Sequence, residues 1–284
     1  MNISIDRLSP ACGGVVSGLD LKAPMDNATV AQLNQALAQN GLLLFRDADI
    51  SPSEHVAFTK RFGALDTHVL QNFSLPGQPE ILVISNVIEN NKPKGAVYGG
   101  QYWHSDVSYT KKPSLGSLLL CREMPSIGGD TMWANMYLAY ETLSEPMKKF
   151  LRALKAIHDY THAYDTYFAN RQERPPLTPE QRSKTPPVEH PVVRTHPVTG
   201  KKALYVNPGF TTGFVGLPRD ESQSILDLLF RHSTRAEFVY RHKWHVQDLI
   251  FWDNRCTMHY AVADYDFSMR RQMHRTTIAG EEPV

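Results

Sequence analysis

Short apolar runs are the feature that most restricts what this chain can fold into. Leu42-Leu43-Leu44-Phe45, Ile81-Leu82-Val83-Ile84-Ser85-Asn86, Gly116-Ser117-Leu118-Leu119-Leu120-Cys121 and Leu249-Ile250-Phe251-Trp252 are each too short for a core helix. Continuous apolar runs of this length, bounded by turn residues, read as strands covered on both faces. Shorter strands are expected at 14–21, 238–240 and 276–278, and segments 191–196 and 203–207 flank a turn at Thr199-Gly200 as a hairpin. A helix is expected over 28–40, ended by Gly41. A second starts at Ser51-Pro52-Ser53-Glu54, with an N-cap serine, a proline at the first position and a carboxylate at the third, and runs to about Arg61. Further helices are expected at about 135–143, 145–155 and 220–232. Many short strands with helices before and between them imply a β-rich α+β fold. A closed or double-sheet barrel removes the exposed strand edges and leaves a mouth for ligands.

No repeat or dividing linker is visible, so residues 1–284 read as one domain. Prolines 175, 176, 179, 186 and 187 among charges mark an exposed insertion at about 165–189, long enough to suggest function or mobility. With 30 Lys+Arg against 29 Asp+Glu, nothing global attracts nucleic acid or an anionic membrane, and anion binding has to come from local arginines. Three scattered cysteines without a CxxC pair fit a reducing compartment and argue against structural zinc. The N-terminus lacks an apolar signal region and no run approaches a membrane span, so a soluble cytoplasmic protein is expected.

The chemistry concentrates at Trp103-His104-Ser105-Asp106. In an extended strand, side chains at i and i+2 leave the same face, so His104 and Asp106 can aim at one atom. His259 lies far downstream, beside Arg270-Arg271-Gln272-Met273-His274-Arg275. Two imidazoles and one carboxylate on one face of a metal leave its other positions open, the arrangement of non-haem Fe(II) oxygenases. The polar segment 88–101 leads into this motif and is expected to close over it.

These residues, with Gly18-Leu19-Asp20-Leu21, Phe45-Arg46, Arg61-Phe62-Gly63, Gly128-Gly129-Asp130-Thr131, Pro191-Val192-Val193-Arg194-Thr195-His196-Pro197 and Trp252-Asp253-Asn254-Arg255, resemble the taurine dioxygenase (TauD/TfdA) family of Fe(II)- and 2-oxoglutarate-dependent oxygenases over nearly the whole chain. The resemblance implies a double-stranded β-helix (jelly-roll) core with flanking helices, and iron bound by His104, Asp106 and His259. It implies that Thr131 and Arg271 hold the distal carboxylate of 2-oxoglutarate and that Arg275, near the iron, meets the cosubstrate or an anionic substrate group. His68, Val107, Tyr109, Tyr164 and Phe210 would shape the substrate pocket. The implied reaction couples decarboxylation of 2-oxoglutarate by O2, giving succinate and CO2, to hydroxylation of a C–H bond beside the anionic group of a small organic acid. Taurine or another alkyl sulfonate is the first reading and an aryloxyalkanoate or alkyl sulfate ester the alternative, because Gly100 and Gln71 replace residues that recognise taurine. Family analogy implies a homo-oligomer, dimer or tetramer.

Counting back from the C-terminal motif makes Arg271 the cosubstrate clamp; counting forward from His259 makes it Arg270. Arg271 is preferred because it shares a strand face with Arg275. Arginine's planar fork matches a carboxylate with two parallel hydrogen bonds. Two rivals stand beside the oxygenase: a jelly-roll hydrolase or isomerase using Zn²⁺ or Mn²⁺, and a non-catalytic binding protein.

Overall fold

The computed structural model describes residues 3–66, 73–97, 99–169 and 176–284. The apolar runs form the middle of one large sheet. Strands Leu42–Phe45, Leu249–Asp253, Gly116–Glu123, Gln272–Ile278 and Gln78–Ser85 lie side by side in that order, each antiparallel to the next. Gly14–Ser17 extends the sheet parallel to Leu42–Phe45, and Ser4–Arg7 closes that edge. A smaller antiparallel sheet, Val239–His242, Thr131–Asn135 and Thr257–Ala261, faces it.

Side chains that alternate between two packed faces explain the apolar runs at 42–45, 118–121 and 249–252. Leu42, Leu44, Leu119, Cys121, Ile250, Trp252 and Met273 point between the sheets, where they pack with Trp133 and Trp244. Leu43, Phe45, Leu118, Leu120, Leu249, Phe251 and Ile278 point the other way, beneath helices Asn27–Asn40 and Pro52–Lys60, meeting Leu33, Leu37 and Phe58. Both faces of these apolar runs are therefore dry. A third cluster joins helices Met136–Glu141 and Arg219–Ser233 to strands Lys155–His158, Val193–Thr195, Lys202–Leu204 and Thr211–Phe214.

The helix ends are set locally. Asp26 Oδ1 accepts from Thr29 N at 2.7 Å, and Gly41 ends the first helix at φ 76°, its N–H reaching Leu37 O. A Cβ at Gly41 would also lie 2.9 Å from Thr257 Cγ2, so glycine is required there twice over. Ser51 and Glu54 form the expected capping box. Such caps contribute about 1 kcal/mol each.

Several expectations need correction. The stretch around His104 is not a strand: His104 makes one isolated bridge to His259, and the chain then turns at residues 106–110. The helix expected to reach 155 stops at Leu151, and Lys155–His158 is a strand instead. The segment expected as an insertion starts inside a helix, Tyr160–Tyr167, whose aromatic residues pack into the site; beyond the undescribed residues 170–175, helix Pro179–Lys184 buries no side chain. Among the described residues no helix is long and apolar enough to cross a membrane.

Candidate active site

The isolated bridge places the two histidines. His104 N donates to His259 O and His259 N to His104 O, at 3.0 and 2.7 Å, so the rings lie 4.1 Å apart between centroids. His104 Nδ1 donates to Tyr102 O at 2.8 Å, which leaves Nε2 as the free lone pair, 3.8 Å from Asp106 Oδ1. His259 Nε2 lies 3.9 Å from the same oxygen. The turn that brings Asp106 round is pinned by Asn254: Ser105 Oγ donates to its carbonyl, and Asp106 N and Trp252 Nε1 to its Oδ1.

All three side chains are buried. Burial pushes both histidines below their ordinary value and keeps them neutral, as metal ligands must be. Burial alone would raise Asp106, but the Arg275 guanidinium and a hydrogen bond from Ser117 hold it well below the usual carboxylate range. Among the described residues His259 Nδ1 has no hydrogen-bond partner. Two neutral imidazoles and one carboxylate, with ligand atoms within 4.8 Å of one another, fit a divalent iron. A second cluster, His196, Asp253 and Cys256, does not fit a metal. His196 Nδ1 accepts from the backbone of Val198 and Thr199, its Nε2 donates to Asp253, and Arg255 grips both oxygens of Asp253.

The triad opens into a pocket lined by Thr131, Arg271 and Arg275 and walled by Leu82, Ile84, Val107, Leu119 and aromatic rings. Thr131 Oγ1 accepts from Trp244 Nε1 at 2.9 Å, so its own proton is free to be donated into the pocket. Arg271 is buried, with Nε donating to Gly129 O and both terminal nitrogens without a partner among the described residues. Arg270 turns outward and pairs with Glu123 and Glu89, which settles the choice of residue that faces the pocket. Pairing with Gly116–Glu123 shifts between Gln272 and Met273, and the unpaired residue, Arg122, lies in that neighbouring strand, so Arg271, Met273 and Arg275 stay on one face. The Gly128-Gly129 pair is explained by crowding: a Cβ on Gly128 would lie 2.5 Å from Asp264 O, and one on Gly129 3.2 Å from Arg271 Nε. Asp264 accepts from Gly129 N and pairs with Arg241, so the loop carrying the arginine is tied to the strand carrying Thr131.

Arg275 Nη1 donates to Asp106 Oδ1 at 2.9 Å, while its buried Nε has no partner among the described residues. Val107 sits at φ 49°, an outlier for a β-branched residue that costs about 1–3 kcal/mol and is tolerated where surrounding structure enforces it. Tyr109 and Phe210 line the pocket as expected, but Tyr164 does not. One helical turn earlier, Tyr160 takes that place, and Tyr164 stands behind it, packed on Phe168 and bonded to the Tyr160 hydroxyl. Tyr102, Tyr160, Trp133 and Trp252 are lining residues that sequence reasoning missed; the spacing of Tyr160, Tyr164 and Tyr167 on one helix face was the available signal. Segment 88–101 supplies one wall through Ala96, Gly99 and Gly100, held by Ala96 N to Val83 O and Ala261 N to Gly100 O. A Cβ on Gly100 would press on His104 Cε1 at 2.9 Å. His68 and Gln71 lie outside the described residues.

Comparison with known proteins identifies the family. Residues 4–277 match the family model "Taurine catabolism dioxygenase TauD, TfdA family". The chain is 32% identical to a 2,4-dichlorophenoxyacetate dioxygenase of Burkholderia sp. over 99% of its length and 95% of that protein, and 34% identical to an alkylsulfatase of Acinetobacter baylyi over 98% and 86%. The solved structure of AAD-2 in complex with Mn(II) and N-oxalylglycine superposes with a TM-score of 0.85 at 32% identity, covering 100% of this chain and 99% of that one. The two facing sheets are thus a jelly-roll core with flanking helices, and the chain belongs to the TauD/TfdA family of 2-oxoglutarate-dependent dioxygenases.

Proposed function

We propose that the chain hydroxylates the C–H bond next to the anionic group of a small organic acid with an apolar carbon body: an alkyl sulfonate, a sulfate ester or an aryloxyalkanoate. As a 2-oxoglutarate-dependent oxygenase it uses Fe(II), 2-oxoglutarate and O2. On this reading His104, Asp106 and His259 hold the iron. Iron with 2-oxoglutarate and O2 supplies the oxidation, releasing succinate and CO2 and placing one oxygen atom in the substrate.

The chain's own residues bind and orient. The open fork of Arg271 and the free Thr131 proton receive the distal carboxylate of 2-oxoglutarate. Arg275 receives the substrate's anionic group; its unpartnered, buried Nε beside the triad is the observation that carries the substrate class. Tyr102, Tyr109, Tyr160 and Phe210 pack on the carbon body and exclude water. Asp106 is the one carboxylate among the described lining residues and is already engaged, so an ammonium such as taurine's finds no counter-ion there.

Succinate release across taurine, alkyl sulfonates, alkyl sulfates and aryloxyalkanoates tests this. Anions with apolar bodies stimulate turnover more than taurine does; equal indifference to all of them removes the substrate class. Arg271→Ala weakens 2-oxoglutarate binding about 100-fold, since two charged hydrogen bonds of roughly 1.5–3 kcal/mol each are lost with partial replacement by water. Arg271→Lys recovers only part of it, because a point charge cannot make the fork. Unchanged 2-oxoglutarate affinity by calorimetry in both variants would show the clamp to lie elsewhere.

A further inference from the structure

We propose that 2-oxoglutarate reaches Arg271, and succinate leaves it, through a side passage between segment 96–101 and loop 262–269, while the organic substrate uses the main mouth. The inference rests on the reading that Arg271 and Thr131 hold the distal carboxylate of 2-oxoglutarate.

A second cavity lies against the main pocket. Ile84, Ala96, Gly99, Ala261 and Arg271 line both, so a single layer of residues separates the two. Three of those five are alanine or glycine, so apart from Ile84 the wall beside the guanidinium is thin. Ser85, Asn86, Gln101, Val262 and Tyr265 line the second cavity alone, and all but Ser85 are half-exposed. The cavity therefore runs from the buried Arg271 side chain toward the surface, on a different side from the aromatic rings of the main pocket.

The two ways in differ in chemistry. The main pocket is walled largely by aromatic and aliphatic side chains and holds the Asp106 carboxylate. Four of the five residues that belong to the side cavity alone carry polar groups, and among the described residues no carboxylate lines it. Asp264, beside Tyr265, is paired with Arg241. A dianion losing its water finds replacement partners along such a wall, and Arg271 at the inner end draws it in.

The passage and the clamp are built as one piece. Asn86 Nδ2 donates to Phe267 O at 3.0 Å and to Met269 O at 2.8 Å, which fixes the outer loop. The Tyr265 ring stacks on Phe267 with centroids 4.7 Å apart. The same Asn86 accepts from Arg271 N through Oδ1 at 2.8 Å, and Ser85 Oγ donates to Arg271 O at 2.9 Å. The rim and the arginine backbone thus hang on the same two side chains at the end of strand Gln78–Ser85.

The passage changes the order of events. An organic acid whose anionic group meets Arg275 and whose body packs on Tyr102, Tyr160 and Phe210 fills the main mouth. With one opening, succinate waits behind the hydroxylated product. With two, each leaves independently, and product release is a common limit on turnover.

The test narrows the passage without touching the main pocket, by Val262→Phe from one side and Gln101→Phe from the other. Stopped-flow fluorescence follows 2-oxoglutarate binding to the Mn(II)-loaded protein, which does not turn over, with Trp133 and Trp252 in the main pocket as reporters. Association and dissociation rates are each expected to fall about 10-fold, with Kd by calorimetry within two-fold of wild type, because a plug slows entry and exit alike. Slowing at unchanged affinity in either variant supports the passage. Wild-type rates in both overturn it, and the clamp still stands if Arg271→Ala weakens binding. A plug that acts by faster dissociation has damaged the site and also counts against the passage. Wild-type affinity in Arg271→Ala overturns the clamp reading and the passage with it.

Discussion

Asp106→Ala loses iron-dependent turnover by roughly 10³-fold or more, since it removes the anionic ligand of a site whose bound metal supplies several kcal/mol of transition-state stabilisation. It also destabilises the metal-free fold. Arg275 Nη1 loses its one ionic partner among the described residues, in a place where both side chains are about nine-tenths buried. Breaking one member of a buried pair costs about 3–5 kcal/mol, and the open pocket lets water recover part of it, so the lower end is expected here. Asp106→Asn keeps the shape and the Ser117 contact but not the charge, and falls between. The double variant Asp106→Ala with Arg275→Met is then more stable than Asp106→Ala alone, because the second change removes the stranded charge. Succinate assays and urea unfolding of the metal-free proteins measure both effects. Additive destabilisation, or turnover near the wild-type rate in Asp106→Ala, would sink this account of the triad.

The middle of the large sheet was legible in the sequence because the runs at 42–45, 81–84, 118–121 and 249–252 are apolar, and the first two helices because their end signals are local: Gly41 and the Ser51–Glu54 box need no tertiary knowledge. Among the strands missed were Ser4–Arg7, Lys155–His158, Thr211–Phe214 and Thr257–Ala261, short segments that carry no clean period. His104, Asp106 and His259 were legible as residues but not in their local conformation. What aligns them is a single bridge between distant segments and the Asn254 side chain, neither of which leaves a mark at residues 103–106. The choice between Arg270 and Arg271 rested on strand parity, and parity decided correctly which of them faces the pocket, since the bulge lies in the partner strand. Tyr160 was displaced by Tyr164 because the phase of the Tyr160–Tyr167 helix is set by what it packs on. Trp244 was invisible because its role exists only through contact with Thr131.

Acid is expected to unfold this protein through its buried histidines, before its buried carboxylates titrate. His55, His158 and His274 are buried, and burial, followed by neighbouring cationic or imidazole groups, holds them at about 3, 3 and 4. In the unfolded chain each titrates near 6.5. A folded value below the unfolded one means that the unfolded state binds more protons, so stability rises with pH and is lost as pH falls below about 6.5. Well inside that window, three such groups give a slope of about 4 kcal/mol per pH unit, against a total of about 5–15 kcal/mol for a folded domain. Most of the fold is therefore lost between about pH 6 and 4.5, before the low-lying Asp106 and Asp253 begin to take up protons. His274 isolates one part of this. Neither of its ring nitrogens has a hydrogen-bond partner among the described residues, and it lies on the face of Gln272–Ile278 opposite Met273 and Arg275, near His55 and Arg122. His274→Leu removes a titrating group and two unsatisfied nitrogens while keeping comparable bulk. The expected result is a slope smaller by about 1.4 kcal/mol per pH unit and a variant more stable than wild type at pH 5. Urea titrations of the metal-free proteins from pH 8 to 5 measure it, and parallel stability–pH curves for wild type and His274→Leu would mean that His274 is protonated equally in both states.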